Sequence, residues 1–121
     1  MSGKILVVDD SITLRTSVKF TLEKKGYKII QAEHGKAGLD KLEKEGKVDL
    51  IISDINMPVM DGITFIKEVK KTSHRFTPIL ILTTESEPEK KKEGKKAGAA
   101  GWLVKPFKHN QLVKIAQKFV R

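Results

Sequence analysis

The chain of 121 residues is 39% hydrophobic and 32% charged, enough apolar content to bury one core and too much for a disordered polymer. It has no cysteine, which excludes disulfides, thiolate metal sites and cysteine nucleophiles, and no apolar run approaches the roughly 18 residues that cross a bilayer. Its 24 Lys and Arg against 15 Asp and Glu leave a net charge of +9, which suits an anionic partner or, more simply, a solvated lysine-rich surface.

Ile5, Leu6, Val7 and Val8 form a short apolar run that ends in Asp9 and Asp10, unlike a secretory signal, so a cytoplasmic protein is expected. Leu14, Val18 and Leu22 follow at helical spacing, with Gly26 placed as a C-terminal cap. Ile12, Thr16 and Phe20 make a second stripe turned away from the first, and apolar residues on the outer side of a helix suit contact with a partner. Residues 28–32 are a weaker strand candidate, and a helix closed by Gly46 leads to the run Val48-Asp49-Leu50-Ile51-Ile52, apolar but for Asp49. Phe65, Ile66 and Val69 mark the next helix, and residues 79–82 the next strand.

Residues 85–97 read as a helix without one large apolar side chain. Ser86 and Glu89 have the spacing of a capping box, and Pro88 lies in the first turn. Gly94 costs about 1 kcal/mol inside such a helix, and Lys91/Lys95 and Lys92/Lys96 repel at i,i+4. This element is expected to be the least firmly docked. Gly98 closes it, residues 99–104 form a last strand, and Leu112, Ile115, Ala116 and Phe119 mark a last helix ending at Arg121.

Apolar runs suited to burial on both faces, alternating five times with amphipathic helices, predict an α/β fold, a doubly wound parallel sheet. In that architecture ligands sit outside the carboxyl ends of the strands. The sequence places Asp9 and Asp10, Asp54, Thr83 and Thr84, and Lys105 with Pro106 at four such ends. A single aspartate there is usually a cap or loop residue; the joint placement points to a site. Three nearby carboxylates repel unless a hard divalent cation joins them, and Mg²⁺ takes one or two protein carboxylates, waters and phosphate oxygens.

Four segments, LVVDDS (6–11), DINMPVMDG (54–62), ILILTTE (79–85) and AGAAGWLVKPF (97–107), together resemble the receiver domain of two-component response regulators. The resemblance covers the whole chain, 1–121, as one receiver domain, and is similar in particular to stand-alone, CheY-type chemotaxis regulators. It implies a five-stranded sheet in the order 2-1-3-4-5 with five helices, the flavodoxin/CheY-like arrangement. It implies Asp54 as phosphoacceptor, with Mg²⁺ held by Asp9, Asp10, Asp54 and the backbone carbonyl of Asn56. Thr83 would bind the phosphoryl group and Lys105 would pair with one of its oxygens, with Lys105–Pro106 a cis peptide. Trp102 falls where the family has a switching tyrosine or phenylalanine, so Thr83 and Trp102 would form the switch. Lys91, Lys92, Lys95 and Trp102 would lie on the output surface. The implied partners are a CheA-like histidine kinase as phosphodonor, docking beside the first helix, and a flagellar motor switch protein. A monomer that binds neither DNA nor membrane, and that is not an enzyme in its own right, is expected.

Rival readings fit less well. A haloacid-dehalogenase-type phosphatase needs a second aspartate two residues after the nucleophile, where this chain has Asn56. No glycine-rich phosphate loop is present. The charge invites a nucleic-acid binder, but only 6% of residues are aromatic, leaving little for base stacking. A receiver serving as a phosphate sink or in a non-chemotaxis relay is the remaining alternative. His34, His74 and His109 lack metal-ligand spacing and read as surface or loop residues, and Met57 and Met60 as packing beside the acceptor loop.

Overall fold

The structure, a computed structural model, describes residues 3–120. Strands β1 (Lys4–Val8), β2 (Lys28–Ala32), β3 (Leu50–Ser53), β4 (Ile79–Thr83) and β5 (Gly101–Val104) alternate with helices α1 (Ile12–Glu23), α2 (Gly35–Glu45), α3 (Gly62–Val69), α4 (Pro88–Ala97) and α5 (His109–Phe119). All strand pairs are parallel and the order is β2-β1-β3-β4-β5, as the resemblance implied.

Alternation along the strands builds two cores. Leu6 and Val8 of β1, with Ile51, Ile79 and Ile81, pack against Leu42 of α2 and Phe65, Ile66 and Val69 of α3. Ile5 and Val7, with Leu50, Ile52, Leu80 and Leu82, pack against Val18 and Leu22 of α1 and Leu112 and Ala116 of α5. The period of two sends neighbouring residues of one strand to opposite faces, so the central strands are apolar along their middles and turn polar only at their ends, as at Ser53 and Thr83. At the edge, β5 is only partly buried.

Several ends differ from the sequence expectation. The capping box of Ser86 and Glu89 does not form: Glu87 is the N-cap of α4, with no side-chain cap bond. Proline disfavours helical geometry in the residue before it, so Glu87 stays extended (φ −63°, ψ 133°) and the helix starts at Pro88. The C-cap of α1 is Lys24, and Gly26 takes φ 93° two residues later, while Gly46 and Gly98 cap α2 and α4 with φ 71° and 118°. The last helix ends at Phe119, and Arg121 lies outside the described residues. His74 is not a surface residue. It is buried, with Nε2 2.9 Å from the Leu42 carbonyl, a partner that satisfies a buried imidazole and leaves no mark in sequence spacing.

The weak docking expected of α4 has a structural counterpart: Gly94 is its one buried residue. No helix among the described residues is long and apolar enough to cross a membrane.

Candidate functional site

Val8 of β1 is in register with Ser53 of β3, so Asp9 and Asp54 leave adjacent strands at the same level. Both are fixed by backbone bonds: the Asp54 amide donates to the Val8 carbonyl and the Asp9 amide to the Ala32 carbonyl, each at 3.1 Å. Asp10, next along the chain, is exposed and brings its carboxylate to the same place. One oxygen from each of Asp9, Asp10 and Asp54 lies within 4.8 Å of the others.

Lys105, arriving from the end of β5, is the cation among them. Its Nζ stands 3.0 Å from Asp9 Oδ2 and 3.5 Å from Asp54 Oδ2. The other oxygens are also placed: Asp9 Oδ1 accepts from the Ser11 amide at 2.8 Å, and Asp54 Oδ1 from the Ile55 amide at 2.7 Å. Burial holds the Asp9 carboxyl above its ordinary value, outweighing the Ser11 amide and the Lys105 ammonium, and the charge of Asp54 pushes the same way. One ammonium does not balance three carboxylates. A donor set made only of carboxylate oxygens, partly open to solvent through Asp10, fits a hard divalent ion such as Mg²⁺ and lacks the nitrogen or sulfur that zinc or copper sites use.

Thr83 ends β4, and its buried Oγ1 accepts from the Glu85 amide at 3.2 Å. The Glu85 carbonyl in turn accepts from Trp102 Nε1 at 3.1 Å. The indole is half-buried, packed against the α2–α3 core. Thr84 is exposed, the Lys105–Pro106 peptide is cis, and Asn56 stands exposed in the loop after Asp54. Lys91, Lys92 and Lys95 are exposed on α4; Lys91, Lys95 and Trp102 border a cavity of about 230 Å³. Asp9, Asp10, Asp54 and Lys105 thus meet directly, whereas Thr83 reaches Trp102 through the Glu85 peptide.

Residues 5–117 match the response regulator receiver domain. This chain belongs to the response regulator receiver family. The receiver is 40% identical over 106 residues to chemotaxis protein CheY1 of Helicobacter pylori, covering 86% of each chain. It is similar to the solved structure of Vibrio cholerae chemotaxis protein CheY4, with 50% identity, a TM-score of 0.93 and coverage of 99% and 100%. The receiver domain of the Pseudomonas aeruginosa sensor histidine kinase PA1611, solved with a magnesium ion in its active-site cleft, is 28% identical with a TM-score of 0.89 and 98% coverage of both chains.

Two residues of this receiver gain a part that sequence reasoning did not give them. Arg15 Nη1 donates to the Asp9 carbonyl at 2.6 Å and its Nε to Gln31 Oε1 at 3.3 Å, pinning the peptide between Asp9 and Asp10. A cation in the first turn of a helix opposes the macrodipole, and that anomaly was the available signal. Gly62 begins α3 with its amide bonded to the Ile55 carbonyl at 2.7 Å. A β-carbon there would stand 2.7 Å from Ile55 Cα and closer still to the Asp54 carbonyl oxygen, so the loop after Asp54 closes only over glycine.

Proposed function

We propose that this receiver accepts a phosphoryl group on Asp54 from a CheA-like histidine kinase, in a Mg²⁺-dependent reaction, and signals by protein contact in chemotaxis. The observation that carries the reading is Lys105 Nζ between Asp9 Oδ2 and Asp54 Oδ2 beside a three-carboxylate cluster. Asp9, Asp10, Asp54 and the Asn56 carbonyl would hold Mg²⁺, which supplies charge neutralisation at the phosphoryl oxygens.

The roles of the two Asp54 oxygens follow from their partners. Oδ1 is engaged by the Ile55 amide, so Oδ2, facing Lys105, is the attacking atom. The new O–P bond forms as the P–N bond of the phosphohistidine breaks, and the imidazole leaves with its electron pair. The Lys105 ammonium pairs with an oxygen of the transferred group. The Thr83 hydroxyl donates to another while its oxygen keeps the Glu85 amide. The added negative charge therefore acts on the peptide that holds Trp102.

The output surface comprises α4, β5 and α5, with Lys91, Lys92, Lys95 and Trp102 exposed or half-exposed on it; a flagellar motor switch protein is the partner proposed there. The receiver acts as a cytoplasmic, monomeric phosphoacceptor, modifying its own carboxylate and turning over no separate substrate. The test is intact-mass measurement after incubation with Mg²⁺ and acetyl phosphate or phosphoramidate. One phosphoryl group is expected on the wild type and none on Asp54→Asn; an unchanged wild type, or equal labelling of the variant, would overturn the assignment.

A further inference from the structure

Asp9 is held on every side. Its amide donates to the Ala32 carbonyl, Oδ1 accepts from the Ser11 amide and Oδ2 faces the Lys105 ammonium. Asp10 is held differently. Its exposed carboxylate takes part in no hydrogen bond or ion pair among the described residues, yet one of its oxygens lies within 4.8 Å of those of Asp9 and Asp54. The placement of Asp10 therefore comes through the backbone, from the peptide that joins it to Asp9.

The carbonyl of that peptide is the one Arg15 grips, with Nη1 at 2.6 Å, while Nε of the same guanidinium donates to Gln31 Oε1 at 3.3 Å. Gln31 lies on β2 in register with Val7 of β1, so the strand beside the one that delivers Asp9 braces the arginine. A planar fork held at two points fixes the direction of the carbonyl, and a rigid peptide passes that direction on to Asp10.

Arg15 acts on a divalent cation in two ways of opposite sign. Its permanent charge repels any such ion, and equally for ions of equal charge. Its grip keeps the Asp10 carboxylate turned toward the other two, which favours the ion. Only the second effect depends on ion size. Mg²⁺ demands oxygens at about 2.1 Å in a nearly octahedral set, whereas Ca²⁺ accepts looser sets at about 2.3–2.6 Å.

We infer that Arg15, braced by Gln31, is a positioning residue: by fixing Asp10 it raises the affinity of the carboxylate cluster for Mg²⁺ more than for Ca²⁺. The inference rests on the proposed Mg²⁺ site and adds to it the group that sets its preference among ions.

The test is a titration of isotope-labelled full chain with Mg²⁺ and with Ca²⁺, read by amide shifts at Asp10 and Ser11. Arg15→Met removes the fork and its charge. Mg²⁺ binding is expected to weaken about tenfold, the usual scale for losing a group that orients a metal ligand. Ca²⁺ binding is expected to change by less than about threefold, because the larger ion tolerates a mobile carboxylate. Gln31→Leu keeps the charge, loses the brace, and is expected to lower the Mg²⁺/Ca²⁺ affinity ratio in the same direction. In an Asp10→Ala background Arg15→Met is expected to weaken Mg²⁺ no further, since the residue it acts through is gone. Without metal, the Asp9 carbonyl-carbon resonance is expected to shift in both single variants. Unchanged or tighter Mg²⁺ binding by Arg15→Met, equal losses for the two ions, or the same loss in the Asp10→Ala background would overturn the inference. If Arg15→Met does not fold, an unchanged ion ratio in Gln31→Leu overturns it instead. A wild type that binds neither ion would overturn the proposed metal site itself.

Discussion

Gly94 and Trp102 occupy one another's space: a β-carbon on Gly94 would stand 2.9 Å from Cζ3 of the indole and 3.4 Å from Cε3. The glycine that weakens α4 as an isolated helix is what lets the ring lie against it, with Nε1 reaching the Glu85 carbonyl. Gly94→Ala gains about 1 kcal/mol of helix propensity and loses about 1–3 kcal/mol through overpacking. The expected outcome is a net loss of about 1 kcal/mol in urea unfolding, with tryptophan emission shifted to the red as the indole is displaced. A more stable variant with unchanged emission would show that the contact does not hold the ring.

Lys105 Nζ occupies Asp9 Oδ2 and Asp54 Oδ2, so on the proposed reading a divalent cation would have to compete with it for these carboxylates. Lys105→Met keeps most of the stem and removes the charge. Mg²⁺ affinity is expected to rise about tenfold, since a like charge this close costs on the order of 1 kcal/mol or more even when screened. Labelling by acetyl phosphate is expected to slow, because the transferred oxygens lose a counter-charge. Calorimetry and intact mass read the two effects separately; a fall in metal affinity would refute the competition.

The buried Asp9 carboxyl sits above its ordinary value, so the folded protein keeps this proton to a higher pH than the unfolded chain does. The stability it contributes is complete below about pH 3.9 and is lost as pH rises through the folded-state value. In metal-free buffer at neutral pH, Asp9→Asn is therefore expected to be more resistant to urea than wild type, with the difference vanishing in acid. Added Mg²⁺ is expected to reverse the ranking. Urea midpoints across pH, with EDTA and with Mg²⁺, check both signs.

Gly62→Ala sets a β-carbon against backbone, which has no rotamer to turn away. A loss of about 3 kcal/mol is expected from overpacking that the chain relieves only by moving the Asp54–Ile55 peptide. Slower labelling of Asp54 is expected alongside the lower urea midpoint. Full labelling rate with unchanged stability would mean that the loop shifts freely.

The parts legible in the sequence were those governed by period and by strand ends. Runs of Ile, Leu and Val located β1, β3 and β4, and the polar residues that follow them named Asp9, Asp54 and Thr83, most of the site. What escaped depended on contacts distant in sequence or on backbone geometry. His74 is buried because the Leu42 carbonyl lies within reach. Arg15 finds the Asp9 carbonyl only once α1 folds back along β1. Pro88 overrode the capping pattern of Ser86 by acting on the residue before it. Val59, in the loop between Asp54 and α3, takes φ 69°, a left-handed conformation that a β-branched residue pays about 1–2 kcal/mol to adopt.

The ladder bond from the Asp54 amide to the Val8 carbonyl ties Asp54 to the slowest motion the molecule has. That amide proton is exchanged for deuterium only when β1 and β3 part, which for central strands means global unfolding. The Glu85 amide is held by one side-chain hydroxyl and is freed by a local opening. Two clocks therefore run within a single pocket. Loading with beryllofluoride is expected to slow exchange at Glu85 many-fold while Asp54 keeps the pace set by the whole sheet.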